Sequence, residues 1–265
     1  MKYAFDILGI VICVVLMIIA ANYSWKRALK RLEALRAVAR RLKLHYNADD
    51  VNRIPETYAA SDLCGHGHSK QASHVIWGDI GAGKVCYFDY RYTVGSGRSQ
   101  STHYYSACAF HGPCFWRKLF IRPESFRDRA AGFFGSEDIN LDNAEFNREF
   151  FVKSEDKKFA YDVLPQRAME FFLARSGLAM EMQADYMLFY RSGTLSPEAV
   201  ESLIVDSAAF FDLVPNYLRE DMGERPLSAP ASVHGQVAPG SADDLPNTGS
   251  IPDKPADYSR PEAQS

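Results

Sequence analysis

The residues best equipped for chemistry in this chain are cysteines and histidines gathered in two short runs, Cys64-Gly65-His66-Gly67-His68 and Cys108-Ala109-Phe110-His111-Gly112-Pro113-Cys114, with His74 and His103 between them. Thiolate and imidazole are the natural ligands of Zn²⁺, and tight spacings let two ligands come from one turn. Cys64, His66, His68, Cys108, His111 and Cys114 are therefore the zinc candidates. Against a metal, Cys108 falls in a strand-like run, and no Cys-x-Cys or Cys-x-x-Cys pair is present. Small buried cysteines and solvent-facing loop histidines account for the same residues without zinc, so no cofactor is predicted.

Two further motifs fail on context. Gly78-Asp79-Ile80-Gly81-Ala82-Gly83-Lys84 opens like a phosphate-binding loop, but Val85 stands where a Mg²⁺-holding hydroxyl is required. A β-patterned run, Val85-Cys86-Tyr87-Phe88, comes next where a helix N-terminus should face the phosphates. A glycine-rich hairpin turn is the better reading. Asp138-Ile139-Asn140-Leu141-Asp142-Asn143, with Glu149 twelfth, resembles a Ca²⁺ loop, yet Asn143 occupies the obligatory glycine position. That stretch reads as a turn entering a short helix. No Gly-x-Ser-x-Gly elbow, His-Glu-x-x-His pair or dinucleotide fingerprint is found, and no catalytic residue is assigned. Asp89, set among tyrosines, reads as a structural carboxylate pairing with Arg91 or Arg98.

The elements that must position these residues begin with an apolar run. Ile7 to Trp25 contains no formal charge; as a helix it spans roughly 28 Å, about the hydrocarbon thickness of a bilayer. Tyr23 and Trp25 suit one interface. Beyond it Lys26, Arg27, Lys30, Arg31, Arg36, Arg40, Arg41 and Lys43 face one acid, Glu33, whereas Lys2 alone precedes it among basic side chains. The positive-inside rule then places a single-pass anchor (residues 1–25) in a membrane, with the C-terminal domain in the cytoplasm. A cleaved signal peptide fits less well, because Ile19-Ala20-Ala21 is a poor small-x-small site. Residues 26–45 read as a basic amphipathic helix with Leu29, Leu32, Leu35, Val38 and Leu42 on one face. It either lies along anionic headgroups, with Lys26, Arg27, Lys30 and Arg31 as surface contacts, or packs as a stalk on the domain.

Residues 46–222 hold the α+β domain, with a subdivision near 123. Tyr46–Ser61 reads as irregular. Strand-like runs come at His74–Trp77, Val85–Thr93, Thr102–Phe110 and Phe115–Ile121. In Val85–Thr93, Cys86, Phe88, Tyr90 and Tyr92 alternate against Tyr87, Asp89 and Arg91, the pattern of antiparallel strands. Further on, Glu124–Ala131 reads as a short helix, Phe150–Lys153 as a strand, and Asp156–Val163 as a helix capped by Ser154. Pro165 opens a helix ending at Gly177, Leu178–Gln183 and Tyr186–Arg191 form a hairpin, and Ser196 caps a long helix opened by Pro197. Strands first and helices later predict helices packed on one face of an antiparallel sheet. The tail, 223–265, carries seven prolines and six serines from Pro226 onward and reads as disordered.

Composition narrows the class. The net charge of −3 gives no global basic field for nucleic acid, and five cysteines in 265 residues fit reduced thiols better than a secreted disulfide scaffold.

Gly65-His66-Gly67, the run Tyr87-Phe88-Asp89-Tyr90-Arg91-Tyr92-Thr93 with its Gly95-Ser96-Gly97 loop, and Glu145-Phe146-Asn147 leading into Phe151-Val152 carry a resemblance. The chain resembles a family of uncharacterised bacterial membrane-anchored proteins, a domain of unknown function, over most of the stretch between the stalk and the final helix. The resemblance implies architecture and no catalytic residues. The expected protein is a non-catalytic, membrane-tethered cytoplasmic module that binds a protein or envelope partner. Trp77, Tyr90, Tyr92, Tyr104 and Tyr105 are candidates for an aromatic contact patch, about half of them core because strand faces alternate. The alternatives are a zinc- or small-ligand-binding domain using the Cys/His group, and a domain that contacts lipid at the inner leaflet.

Overall fold

The computed structural model describes residues 2–124 and 139–223, with side chains from Cys13 onward. The expected helix beyond Glu124, Asp138 of the Ca²⁺-like run, the tail from Pro226 and the side chains of Ile7–Ile12 lie outside the described residues.

The runs read as anchor and stalk form one helix, α1 (Lys2–Arg41). With no glycine or proline from Ile10 to Arg41, nothing in the sequence interrupts it. It stops in a Schellman turn: Lys43 adopts φ 56°, Leu44 N–H donates to Ala39 O at 2.8 Å, and Lys43 N–H to Arg40 O at 3.2 Å. Every residue from Cys13 to Lys30 is exposed, and burial begins at Arg31. Leu35, Val38 and Ala39 are fully inside the domain core. The stalk therefore packs on the domain over its second half and projects from it over its first. Among the residues described with their side chains, from Cys13 onward, no helix is long and apolar enough to cross a membrane.

The sheet has eight antiparallel strands: β1 (His45–Asp49), β2 (His68–Ile80), β3 (Gly83–Val94), β4 (Ser101–His111), β5 (Trp116–Pro123), β6 (Phe150–Ser154), β7 (Ala179–Ala184) and β8 (Tyr186–Ser192). Their order is β1-β2-β3-β4-β8-β7-β5-β6, so the β7–β8 hairpin inserts between β4 and β5. One sheet thus runs through the expected subdivision near 123. β1 lies in the stretch read as irregular, and it pairs with β2 despite its polar composition.

Alternation in β3 is as the sequence predicts, but both faces are covered. On one face Val85 and Tyr87 join a core with α1, α6 (Gln166–Leu173), α7 (Pro197–Leu213) and α8 (Asn216–Met222). On the other, Cys86, Phe88, Tyr90 and Tyr92 pack with Ile54 and Tyr58 beside α2 (Ile54–Thr57), and with Leu63 and Cys64 of α3 (Asp62–Gly65). The one-face expectation is corrected. Apolar residues on both sides of β3 require two covers, and two single-turn helices supply the second.

The motif readings are settled locally. Gly81-Ala82 is the β2–β3 turn, and Lys84 lies in the ladder opposite Asp79 and His111. A Cβ on Gly83 would sit 2.4 Å from His111 O, so close approach of β4 accounts for this glycine. In the Ca²⁺-like run, Asn143 accepts from Glu145 N–H and Phe146 N–H at 3.0 Å each and caps α4 (Ala144–Glu149). The Asn147 amide bonds both Leu141 N–H and Leu141 O, tying the turn together. The cap of α5 (Lys157–Val163) is Asp156, which accepts from Phe159 N–H at 3.1 Å. Ser154, expected there, ends β6 instead, and its hydroxyl donates to Lys118 O at 2.7 Å. Ser196 does cap α7 through Ala199 N–H.

Candidate functional site

The groups with chemical potential meet where α1 enters the domain. β2 is irregular here. Its pairing with β3 slips between Ser73 and Ile76, and His74 adopts φ 53°, the left-handed region that histidine tolerates better than most residues. The His74 ring reaches Tyr46 of β1, Nδ1 to hydroxyl 2.7 Å. On β3 the strand period places Asp89 toward α1. Its carboxylate accepts from Arg31 Nη2 at 2.6 Å, from the Tyr87 hydroxyl at 2.5 Å and from the Ser106 hydroxyl at 2.9 Å. Arg31 Nη1 also donates to Leu195 O at 2.5 Å, and Leu195 N–H donates to Ser106 Oγ at 3.1 Å. One carboxylate thereby joins α1, β3, β4 and the loop before α7.

Beside this network opens a cleft of about 260 Å³ lined by Arg31, His74, Asp89, Arg91, Tyr104 and Thr194, among others. Its lining holds the Arg31–Asp89 ion pair and the Arg91 guanidinium. Arg91 there donates through Nε to Gln71 Oε1 at 2.8 Å. The arrangement offers hydrogen-bond donors and positive charge to a polar or anionic group. A wider depression between α6, α7 and β8 holds Arg175, which is already paired with Asp206 at 2.8 Å and stacked on Phe171.

Two expected outcomes belong to this site. Asp89→Ala would strand three donors, two of them on the buried residues Tyr87 and Ser106, and lower stability by about 1–3 kcal/mol. Chemical denaturation would measure the loss, and hydrogen exchange over Arg31–Ala39 would rise with it; an unchanged midpoint would remove Asp89 from the account of how α1 is held. The second concerns pH. Burial holds the His74 pKa below its ordinary 6.5, with Asp89 and Asp49 pulling up and Arg31 pulling down. The unfolded chain therefore takes up this proton first as pH falls through about 6.5, and the ring contributes less to stability from there down to its folded value. The melting temperature should fall more steeply between about pH 7.5 and 5.5 in the wild type than in His74→Asn, where Asn tolerates the same backbone. Parallel curves would exclude it.

The structure disperses the zinc candidates. Cys64 lies in the core beneath α3, while Cys108 and Cys114 lie in the core on the opposite face. His66 bonds Asp62 O at 2.8 Å, His68 reaches Gly95 O at 2.9 Å, and His111 bonds the Tyr58 hydroxyl at 2.9 Å. Burial pushes the Cys64, Cys86 and Cys108 thiols up to about 12, away from the thiolate that a metal requires. Among the described residues no group of three or more His, Cys, Asp or Glu is placed to hold a metal ion.

The aromatic patch is also redistributed. Tyr90, Tyr92 and Tyr105 are buried in the second core, Trp77 is half-buried against it, and Tyr104 is 50% exposed. Of the residues expected at the membrane surface, Lys26, Arg27 and Lys30 are exposed on α1. Arg31 is corrected: it turns inward to Asp89 because the helix meets the domain at its level, and it displaces the expected Arg91 or Arg98 as partner.

Sequence reasoning missed a second charged cluster. Glu181, fully buried on β7, accepts from Arg122 Nη2 at 3.1 Å, from the Tyr190 hydroxyl at 2.9 Å, and from Asp62 N–H and Leu63 N–H at the start of α3. Arg122 pairs with Asp62 as well. The available signal was a lone acid inside the apolar run Leu178-Ala179-Met180-Glu181-Met182, which needs a partner when both sheet faces are covered.

No family model and no curated protein matches the chain. Among solved structures it is similar to the crystal structure of the mycobacterial trehalose monomycolate transport factor A, with a TM-score of 0.49 and 11% identity over 69% of this chain and 93% of that one.

Proposed function

We propose that the chain is a membrane-tethered cytoplasmic module that binds a protein or envelope partner and carries out no reaction of its own. The observation that supports it is the division of α1. Cys13 to Lys30 stands clear of the domain, with Val14, Leu16, Met17, Ile18 and Ile19 between 43% and 64% exposed, while Leu35, Val38 and Ala39 are at most 1% exposed. Apolar side chains in such a row need an environment other than water. The uncharged run Ile7–Trp25 and the cationic flank beginning at Lys26 fit a bilayer span with the domain on the cytoplasmic side. The same features agree with the resemblance to membrane-anchored proteins. A rigid continuation from span to core would hold the domain at a defined height above the bilayer.

Cell fractionation tests the tether. The full chain should sediment with membranes and resist alkaline carbonate, and a reporter fused after Ser265 should be active in the cytoplasm. Leu16→Arg/Ile19→Arg should release it, since each arginine near a span's centre opposes insertion by about 2.5–3.5 kcal/mol. Full-length wild type recovered in the soluble fraction would refute the tether.

A further inference from the structure

α1 runs antiparallel to β3. Arg31 bonds Asp89, and thirteen residues later Leu44 packs on Gly78, which pairs with Val85. Going back along α1 from Arg31 toward Lys26 is thus the direction of β3 from Asp89 toward Val94. At about 1.5 Å per helix residue and about 3.3 Å per strand residue, Arg91 and its partner Tyr104 lie roughly level with Lys26 and Arg27. Val94 lies about 16 Å beyond Asp89, the rise of about eleven helix residues, so the β3–β4 hairpin extends past the basic turns of α1 to about the level of Ala20. The start of β2 is there too, with His68 opposite Thr93.

Among the described residues, the strands at that end of the sheet carry no carboxylate. From Leu63 to Gly78 and from Tyr90 to Pro123 there is no Asp or Glu, while Lys70, Arg91, Arg98, His66, His68, His74 and His103 fall in those stretches. The hairpin residues Gly95–Gln100 and Arg91 are exposed. The nearest acids are set back or engaged: Asp49 lies opposite Ser73, level with Asp89, and Asp89 is paired with Arg31. Asp62 is paired with Arg122 and with His66, and Glu56 lies in α2 on the other face of the sheet.

We propose that this end of the sheet is a second membrane contact, in which Lys70, Arg91 and Arg98 bind the phosphates of anionic lipid headgroups beside the anchor and Tyr104 enters the interfacial layer. The inference rests on the tether reading. It turns a single attachment into a two-point seat and orients the polar cleft at Arg31 and His74 toward the bilayer. The occupant follows from charge and position: a carboxylate-free, arginine- and lysine-bearing rim, level with the basic turns of α1, meets an anionic surface first.

Full-length protein in lipid nanodiscs provides the test, read by hydrogen–deuterium exchange over the hairpin. In discs with about one-third phosphatidylglycerol the amides of Gly95–Ser101 should exchange about fivefold more slowly than in pure phosphatidylcholine, the factor supplied by ~1 kcal/mol from one basic side chain at an anionic surface. High salt should remove the difference. Lys70→Glu/Arg98→Glu should abolish it without changing exchange in α7, and Arg98→Glu alone should reduce it. Equal exchange in the two discs overturns the seat while leaving the tether intact. Failure of the chain to enter either disc overturns both.

Discussion

Arg122→Leu should destabilise the domain by about 3–5 kcal/mol, the range for removing one partner of a buried ion pair. The guanidinium is 7% exposed, and the carboxylate it faces on Glu181 is fully buried. Burial already raises the Glu181 pKa, with Arg122 opposing that rise. Without Arg122, the carboxylate is left with the Tyr190 hydroxyl and two α3 amides, and its folded pKa climbs further. The sign of the consequence is fixed. A carboxyl whose folded pKa is raised favours the folded state below its unfolded value and loses that contribution as pH rises through the folded value. The variant should therefore recover part of its deficit on going from about pH 7.5 to 5, against the direction set by His74. Urea denaturation at the two pH values measures this, and Arg122→Leu/Glu181→Leu should be more stable than the single variant. A single variant within about 1 kcal/mol of wild type, with no recovery in acid, would show that water reaches Glu181.

Phe210→Ala should cost a similar amount, about 3–5 kcal/mol. Phe210 is fully buried on α7, and its ring centroid lies 5.2 Å from Phe171, 5.4 Å from Phe172 and 5.5 Å from Phe189. It joins α6 and α7 to strand β8, and truncation opens a cavity that three rings can only partly fill. The effect should extend to α1, because Arg41 is bonded to Glu201 on α7 and Arg31 to the loop preceding it. Phe210→Leu, which keeps most of the volume, should restore more than half of the loss in denaturant midpoint. An alanine variant that loses less than about 1 kcal/mol would mean that α7 closes onto the sheet without this ring.

Much of the architecture is legible where the information is local. The alternation of Val85–Thr93 identifies two strand faces, and the structure assigns Tyr87 and Phe88 to the two cores accordingly. Val85 after Lys84 rules out the phosphate loop, because it lacks the Mg²⁺-holding hydroxyl and opens a β-patterned run where that motif needs a helix. Ser196 before Pro197 marks a helix start that the structure reproduces. The Ser154 cap fails for a non-local reason: pairing of β6 with β5 claims that residue for the ladder before the helix can use it.

The candidate site was less legible because its bonds cross long sequence separations. Arg31 and Asp89 are 58 residues apart, and Arg122 and Glu181 are 59. A charge pattern along α1 cannot tell a headgroup-facing arginine from one that meets a carboxylate on a strand. The zinc set had the right chemistry at tight spacing, but the sheet places Cys64 on one side and Cys108 on the other, and burial keeps the thiols protonated.

By itself the sequence determined an uncharged run with a basic flank, an α+β domain rich in antiparallel strands, and the local turns and caps, all set by periodicity, charge and backbone preference within a few residues. Tertiary structure alone decided that about the last quarter of α1 packs into the core, that both sheet faces are covered, and which acid each buried arginine meets. Those outcomes depend on how strands distant in sequence are ordered side by side, a choice made by burying two apolar faces and pairing every buried charge at once.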